Sequence, residues 1–307
     1  MTKTPVPVTI ISGYLGSGKT TLVNRLLKGD HGKKITVMVN DFGDVNIDAD
    51  LIVQRNQQVM ELSNGCVCCS LQGDLVVQLQ ALFQGDTEMD HVLIEASGVS
   101  QPGRIASVFG YPQFRETARL DAVVTLVDAA NVNTLPPASS GLVRSQIEAA
   151  DIVLLTKADL MAPSDIDALR EDWLFPDLPA LNVVNGDIPA DVLLGFHRDA
   201  DPKSPVTAGD HSDIFTATSW SSTKPISLEA FRATMKTISH QVFRAKGFLN
   251  CVEHPHSRVL YQKVGSRETF DLDGSWQGVA ETRIVAIGEH LDQNDTDLLG
   301  TLDHCHA

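Results

Sequence analysis

The sequence predicts an α/β fold, a doubly wound and mostly parallel sheet, followed by a second, smaller α+β domain. Apolar strands alternate with helical stretches up to about residue 195, and a Pro- and Gly-rich stretch then interrupts the alternation. A chain of 307 residues with 43% hydrophobic content is long enough for about two domains. We expect residues 1–200 to form the first domain, 201–211 a linker, and 212–307 the second domain.

The first domain is predicted to contain at least six strands with helices between them. Most of the strand-like runs are continuously apolar, which is typical of parallel strands buried on both faces. They cover residues 8–12, 35–40, 59–63, 91–95, 122–128 and 152–156. Helical stretches are predicted over residues 21–27, 73–83 and 164–173. Strand and helix therefore alternate as in a doubly wound sheet.

The second domain shows a different order of elements. Its strands are expected over residues 215–221, 242–252, 257–264 and 283–287. A helix is expected over residues 227–240, and a final helix from about residue 292 to 302. Strands that follow one another without helices between them indicate an α+β arrangement.

The most informative motif is a phosphate-binding loop at residues 13–20, GYLGSGKT. It fits the G-x-x-x-x-G-K-[ST] pattern and lies between an apolar strand and a helical stretch, as that loop must. Lys19 would neutralise the β- and γ-phosphates of a nucleoside triphosphate, and Thr20 would hold Mg²⁺. The residues predicted to bind nucleotide here are Gly13, Gly16, Ser17, Gly18, Lys19, Thr20 and Thr21.

An acidic residue, Glu95, ends the apolar strand at 91–95, and Gly98 follows three positions later. This arrangement is similar to a Walker B motif. We expect Glu95 to hold Mg²⁺ directly or through water, and Gly98 to present a backbone N–H to the γ-phosphate.

The base-reading segment is predicted at residues 156–159, TKAD, after another apolar strand. It resembles the [NT]-K-x-D signature of GTPases. Asp159 would accept hydrogen bonds from guanine, Lys157 would cover the base, and Thr156 replaces the commoner Asn. The alternative is a solvated turn that matches by chance.

Three of the five cysteines lie together, at Cys66, Cys68 and Cys69. In a cytosolic chain, such a cluster of thiolates indicates a transition-metal site, and Zn²⁺ is the first candidate for the metal. Three thiols leave a Zn²⁺ shell one ligand short, which suits a carrier better than a structural clamp. Buried structural cysteines and a redox role are the alternatives.

Together these motifs resemble the CobW-like family of P-loop GTPases, and the resemblance covers nearly the whole chain. The family's switch segment is similar to residues 40–44, NDFGD, its metal motif G-C-x-C-C to residues 65–69, and its R-x-K-G strand to residues 244–247. The resemblance implies that Asp41 or Asp44 orders the attacking water or completes the metal shell. With Lys19 and Glu95, these two residues form the predicted catalytic set.

The resemblance further implies a GTPase that delivers Zn²⁺ from the cysteine motif to a recipient metalloprotein, in steps set by GTP or GDP. Co²⁺ and Fe²⁺ stay open, because relatives are linked to cobalamin synthesis and nitrile hydratase activation. Two functions of a different class also stay open. One is a plain NTPase with structural cysteines, and the second is a metal sensor with negligible turnover.

Two further groups of Cys and His are candidates for a metal. Cys251, His254 and His256 have suggestive spacing, although Pro255 predicts a turn there. The C-terminal group is His304, Cys305 and His306, for which a disordered end is the favoured prediction over a metal-loading arm.

Composition excludes several classes of partner. A net charge of −15 argues against nucleic acid and against an anionic membrane surface. No apolar run approaches the roughly 18 residues of a membrane helix, and the first residues lack a signal-peptide core. A cytoplasmic protein is expected, and a homodimer stays open.

Overall fold

This computed structural model describes residues 5–29, 31–39, 58–61, 71–85, 88–194, 215–238, 241–265, 267–276, 278–289 and 299–306. The chain divides into two compact units. The first comprises residues 1–176 and 180–194, and the second comprises residues 177–179 and 195–307. The predicted linker, residues 201–211, lies outside the described residues.

A seven-stranded sheet forms the centre of the first unit, and its described strands all pair in parallel. In chain order the strands are β1 (Val6–Gly13), β2 (Ile35–Val39), β3 (Gln58–Glu61), β4 (His91–Glu95), β5 (Ala118–Asp128), β6 (Ile152–Thr156) and β7 (Ala180–Val183). Their order across the sheet is β3-β2-β4-β1-β5-β6-β7. This confirms the predicted doubly wound sheet and adds β7, which the sequence analysis missed.

Six α-helices of the described residues belong to this unit. They are α1 (Lys19–Lys28), α2 (Leu71–Gln84), α3 (Pro102–Val108), α4 (Pro137–Glu148), α5 (Pro163–Trp173) and α6 (Ala190–Leu194). Three of them begin at a proline, which fits the first helical position because no amide donor is needed there. On α1, the apolar residues Leu22, Val23, Leu26 and Leu27 form the buried stripe.

Burial explains why the strands are so apolar. Every residue of β2, β4 and β6 is buried, as expected where helices cover both faces of a parallel sheet. The strand order changes direction at β1, which lies between β4 and β5. In open α/β sheets, ligands bind outside the carboxyl ends of the strands at this kind of switch point. The loop that follows β1 therefore occupies the position where a ligand is expected.

The second unit is built on a five-stranded antiparallel sheet. The strands are β8 (Phe215–Ser222), β9 (Val242–Leu249), β10 (Ser257–Val264), β11 (Arg267–Ser275) and β12 (Thr282–Glu289), in the order β11-β10-β9-β12-β8. The helix α7 (Leu228–Thr237) begins after Ser227, whose hydroxyl caps the amide of Ala230. Phe231 and Met235 of α7 join the core formed by one face of the sheet.

Gly247, in the predicted R-x-K-G strand, is required by the sheet itself. A Cβ atom at this position would lie 2.2 Å from the Arg283 carbonyl oxygen and 2.8 Å from the Ile284 Cα. Both atoms belong to the backbone of β12, so the clash could be relieved only by separating two paired strands. Gly247 therefore allows β9 and β12 to pair closely.

The C-terminal end differs from the prediction of a disordered tail. Residues Leu299–Cys305 form a 3₁₀ helix, in which Leu302 and Cys305 are buried in the core of the second unit. The final helix predicted from about residue 292 to 302 is described only from Leu299 onward, where it is a 3₁₀ helix that continues to Cys305. The strand β11 was also missed. Its residues are mostly polar and none is fully buried, so no apolar run marks it.

No helix of the described residues is both long and apolar enough to span a membrane.

Candidate functional site

The loop after β1 turns tightly because three of its glycines take positive φ angles. Gly13, Gly16 and Gly18 have φ values of 139°, 73° and 96°. A Cβ at Gly13 would lie 2.3 Å from the Leu126 carbonyl oxygen, so a side chain is excluded there by contact as well. The backbone can therefore curl closely, as phosphate binding requires.

Lys19 begins α1, and its side chain folds back over the loop. Its Nζ donates to the carbonyl oxygens of Gly13 at 3.0 Å and of Tyr14 at 3.3 Å, and the residue is 8% exposed. The ammonium group is thus held at the concave side of the loop, beside the first turn of a helix. The positive charge and the backbone amides of that turn both favour an anion.

Thr20 and Glu95 meet across the ends of two neighbouring strands. The Thr20 hydroxyl donates to Glu95 Oε1 at 2.7 Å, and Glu95 is 2% exposed. β1 and β4 are paired in register, with Ile11 opposite Glu95, which brings the carboxylate to the edge where α1 begins. A hydroxyl oxygen and a carboxylate oxygen thus lie side by side next to the phosphate loop, and oxygen atoms of this kind are the ligands that Mg²⁺ prefers. The two residues predicted to hold Mg²⁺ are therefore brought together.

Gly98 lies against the phosphate loop. A Cβ at this position would lie 2.8 Å from the Leu15 backbone nitrogen and 2.6 Å from its Cδ2. The segment is held from the other side by the fully buried Gln146 of α4, whose Nε2 donates to the carbonyl oxygens of Gly98 and Ser100 at 3.2 and 3.0 Å. The Walker B-like segment and the phosphate loop are therefore in direct contact.

Thr156 differs from its predicted role in base recognition. Its side chain is buried, and its hydroxyl lies 2.9 Å from the Ser17 carbonyl oxygen and 3.2 Å from that of Val127, both acceptors. A hydroxyl used in this way faces the phosphate loop and not a base. The structure makes Thr156 a connection between the end of β6 and the loop after β1.

Lys157 and Asp159 have side chains at the surface end of this segment. Lys157 has a left-handed backbone, with φ 57° and ψ 25°, and its Nζ donates to Asp128 Oδ2 at 2.6 Å. Asp159 lies in the 3₁₀ turn Ala158–Leu160 and is exposed. Both side chains are accessible at the carboxyl edge of the sheet, one strand away from β5.

The loop after β7 was missed by the sequence analysis, because β7 has only four residues. Its Asn185 and Gly186 both have positive φ, and a Cβ at Gly186 would lie 3.1 Å from the Leu22 Cα. Asp187 of the same loop forms an ion pair with Arg25 of α1. The loop therefore packs against α1 at the same edge as residues 156–159. Only the N-G dipeptide could have signalled a tight turn here.

Five of the predicted site residues belong to two segments, one after β2 and one after β3. Asp41, Asp44, Cys66, Cys68 and Cys69 lie outside the described residues. The cysteines follow β3, which ends at the carboxyl edge of the sheet, and they precede α2 in the sequence.

Of the Cys and His candidates in the second unit, Cys251, Cys305 and His306 belong to its packing, whereas His254 is partly buried and His256 and His304 are exposed. Cys251 is fully buried, and burial raises the pKa of its thiol to about 12. His306 stacks on Trp220 and lies within hydrogen-bond distance, 2.8 Å, of the Ser222 hydroxyl. Cys305 is 1% exposed and contacts the Thr234 hydroxyl. Within the described part of the chain, no three Cys, His, Asp or Glu side chains converge as a metal site.

Two family models match the chain, one for each unit. Residues 7–174 match the family described as CobW/HypB/UreG, nucleotide-binding domain. Residues 215–305 match the cobalamin synthesis protein cobW C-terminal domain.

Similar proteins carry zinc-related names. A protein of a Sinorhizobium species named zinc chaperone CobW is 30% identical over 93% of this chain and 93% of its own length. The zinc chaperone YjiA of Escherichia coli is 30% identical over 95% of this chain and 96% of its own length. The zinc-regulated GTPase metalloprotein activator 1 of Dictyostelium discoideum is 31% identical over 62% of this chain and 48% of its own length.

Proposed function

The chain belongs to the CobW/HypB/UreG family of nucleotide-binding proteins, and we propose that it is a GTPase that carries Zn²⁺ to a recipient metalloprotein. The relatives named zinc chaperones and zinc-regulated GTPase support this function. Activation of a cobalt or iron enzyme is the nearest alternative within the same mechanism.

One observation carries the nucleotide half of the proposal. Lys19, Thr20 and Glu95 converge at the switch point of the sheet, where the Thr20 hydroxyl and the Glu95 carboxylate are 2.7 Å apart. Residues that are far apart in the sequence thus lie together, and this supports their assignment as one phosphate- and Mg²⁺-binding group. A Gly-rich turn that matched the motif by chance would not assemble its partners in this way.

Hydrolysis of GTP requires positioning and charge neutralisation more than covalent chemistry by the protein. In the proposed mechanism, Lys19 exchanges the Gly13 and Tyr14 carbonyl oxygens for the β- and γ-phosphate oxygens. Thr20 and Glu95 would hold Mg²⁺, which supplies positive charge for the developing negative charge when it is bound. The backbone N–H of Gly98 is assigned to the γ-phosphate, and Asp41 or Asp44 to the attacking water.

The base is assigned to the surface end of β6. Asp159 accepts from the guanine N1–H and exocyclic amine, and Lys157 covers the ring. Adenine does not present that pair of donors, so we expect tight binding of GDP and GTP and weak binding of ADP and ATP. The loop at residues 184–187 lies at the same edge and would border the base.

The metal half of the proposal rests on the thiols. Cys66, Cys68 and Cys69 supply soft ligands for Zn²⁺, which is the cargo and not a resident cofactor. Thiols lose their protons when they bind Zn²⁺, so loading should release protons and weaken at low pH. Because the motif lies in sequence between the switch segment and the Walker B-like strand, we expect nucleotide and metal affinities to be coupled. Any such coupling is reciprocal.

Isothermal titration with GDP and ADP tests the base assignment. We expect GDP to bind at least about tenfold more tightly, a difference of about 1.4 kcal/mol. Asp159→Asn should weaken GDP and improve xanthosine diphosphate, because the amide offers a donor where the carboxylate offered none. Asp165→Asn, an exposed acidic residue in the first turn of α5, is the matched control. Equal affinity of the unmodified protein for GDP and ADP would refute guanine recognition.

A competition titration against a chromophoric zinc chelator tests the metal half. It is run in GDP and in a non-hydrolysable GTP analogue, and we expect tighter zinc binding in the GTP analogue. Cys66→Ser, Cys68→Ser and Cys69→Ser should each lower the affinity. Equal zinc affinity of the GDP-bound and GTP-analogue-bound protein would refute the coupling between nucleotide and metal. The proposal of a zinc-binding GTPase would remain.

A further inference from the structure

Asp128 ends β5 at the edge of the sheet where the nucleotide is expected. It is the register partner of Thr156 at the end of β6, so the carboxylate stands beside the segment that reads the base. Its Oδ2 accepts from Lys157 Nζ at 2.6 Å and from Asn131 Nδ2 at 2.9 Å. The side chain of Asp128 is 16% exposed and that of Lys157 is 40% exposed. The largely buried carboxylate of Asp128 therefore holds the ammonium group of a lysine whose side chain reaches the surface.

The backbone of Lys157 is held in an unfavourable conformation. A φ of 57° is uncommon for a residue with a side chain, and it persists only where the surrounding structure fixes it. Lys157 directly precedes the 3₁₀ turn that carries Asp159, and it directly follows Thr156, which is bonded to the phosphate loop. Both ends of Lys157 are thus fixed, the backbone by its neighbours and the ammonium by Asp128.

The hydrogen bonds of Asp128 are unevenly distributed between its oxygens. Lys157 and Asn131 share Oδ2, whereas Oδ1 is buried and has no hydrogen-bond partner among the described residues. A buried carboxylate oxygen without a donor is unfavourable, so the group is retained at some expense in stability. The ammonium of Lys157 is its only cationic partner in the described part of the chain.

We infer that Asp128 is a positioning residue for guanine recognition, which acts by holding Lys157 in the place where it covers the base. This inference rests on the proposed function. A lysine that is already fixed loses less rotamer freedom when the base binds, and this gain from preorganisation is realised only by ligands that have a base. The competing explanation is that Asp128 simply stabilises the turn after β5, together with Asn131.

Asp128→Asn, which keeps the shape of the side chain and removes its charge, is titrated with GDP and with inorganic tripolyphosphate. We expect GDP to bind about three- to tenfold more weakly, because one long side chain must now be ordered on binding. Tripolyphosphate, which has no base, should bind with unchanged affinity. Asn131→Ala is the matched control, since it removes the other contact to the same oxygen and leaves Lys157 in place. It should change neither affinity.

A double-mutant cycle shows whether Asp128 acts through Lys157. In a Lys157→Ala background, Asp128→Asn should have no further effect on GDP affinity. An additive effect, an equal loss in Asn131→Ala, or an equal loss of tripolyphosphate affinity would each overturn the positioning role. If the unmodified protein bound tripolyphosphate but showed no preference for GDP over ADP, the proposed guanine site would fail, and this inference with it. Normal GDP selectivity together with an unchanged Asp128→Asn variant would refute the inference alone.

Discussion

The two units place their reactive side chains in different surroundings, one at the edge of a sheet and the other inside a core. In the first, Lys19 and Glu95 are buried yet lie at the edge of a parallel sheet, next to a loop of glycines. In the second, Cys251 and Cys305 are as deeply buried, but they lie in the core between an antiparallel sheet and α7. A parallel sheet gathers all its carboxyl ends at one edge, where polar groups can face a ligand. An antiparallel sheet offers no such edge, and residue types that could bind metal are used there for packing.

The largest expected effect tests whether the buried Lys19 of the first unit acts on a ligand. Lys19→Ala should lower GTP hydrolysis at least about 100-fold, because one charge that stabilises the transition state is removed from a water-poor site. Phosphate release measures the rate, and circular dichroism checks the fold. Lys28→Ala, at the exposed end of the same helix, is the control and should retain full activity. A folded Lys19→Ala protein with normal turnover would contradict the assignment.

A second variant tests the contact between Gly98 and the phosphate loop. Gly98→Ala places a methyl group 2.8 Å from the Leu15 nitrogen, so the two segments must separate. We expect a loss of about 1–3 kcal/mol in the free energy of unfolding, together with weaker GTP binding. Gly103→Ala is matched to it, since its Cβ would meet only Ala149 Cβ at 3.7 Å. Urea denaturation and nucleotide titration are the measurements, and equal behaviour of the two variants would show that the contact is unimportant.

The next prediction tests the structural role of the cysteines in the second unit. Cys251→Ser places a hydroxyl in an apolar core and should reduce the free energy of unfolding by about 1 kcal/mol. Zinc stoichiometry should be unchanged, whereas Cys66→Ser should lower zinc affinity with little effect on stability. Zinc titration and denaturation of both variants provide the comparison. Loss of zinc from Cys251→Ser would break the distinction between the two units.

The smallest expected effect concerns pH. Burial, and then the nearby charge of Glu253, raise the pKa of the Cys251 thiol from 9.0 to about 12. The folded state therefore keeps the proton while the unfolded thiol loses it. The stability that this group contributes is complete below pH 9 and falls as the pH rises towards 12. The urea midpoint of the unmodified protein should fall more between about pH 8 and about pH 10.5 than that of Cys251→Ala. Parallel curves would show that the thiol is not buried in solution.

Local motifs made the centre of the site predictable. The phosphate loop, the strand-ending Glu95 and the segment at residues 156–159 are each read from a few adjacent residues, and parallel pairing places their strand ends together. The role of Thr156 was not predictable, because its acceptor is Ser17, which lies 139 positions earlier. The Asp128–Lys157 pair depends in the same way on the register of β5 and β6.

The elements that the sequence analysis missed have weak local signals. β7 is short, and β11 is an edge strand with polar residues and no buried position. The C-terminal residues look like a polar tail, but Leu302 and Cys305 are three positions apart and face one core. Two buried residues at this spacing indicate a packed helical turn only when the surface that they contact is known.

The hydrogen bond from Thr156 to the Ser17 carbonyl has a consequence for partial ligands. It ties the phosphate loop to the segment proposed to bind the base, so each segment restrains the position of the other. When one half of a joined ligand binds, the other half is presented at a high effective concentration and loses little further freedom of motion. We therefore expect GDP to bind much more tightly than guanosine or pyrophosphate alone, and the association constant of GDP divided by the product of the other two to give a high effective concentration. In Thr156→Val, which lacks the hydroxyl, this advantage should shrink even if each fragment binds as before.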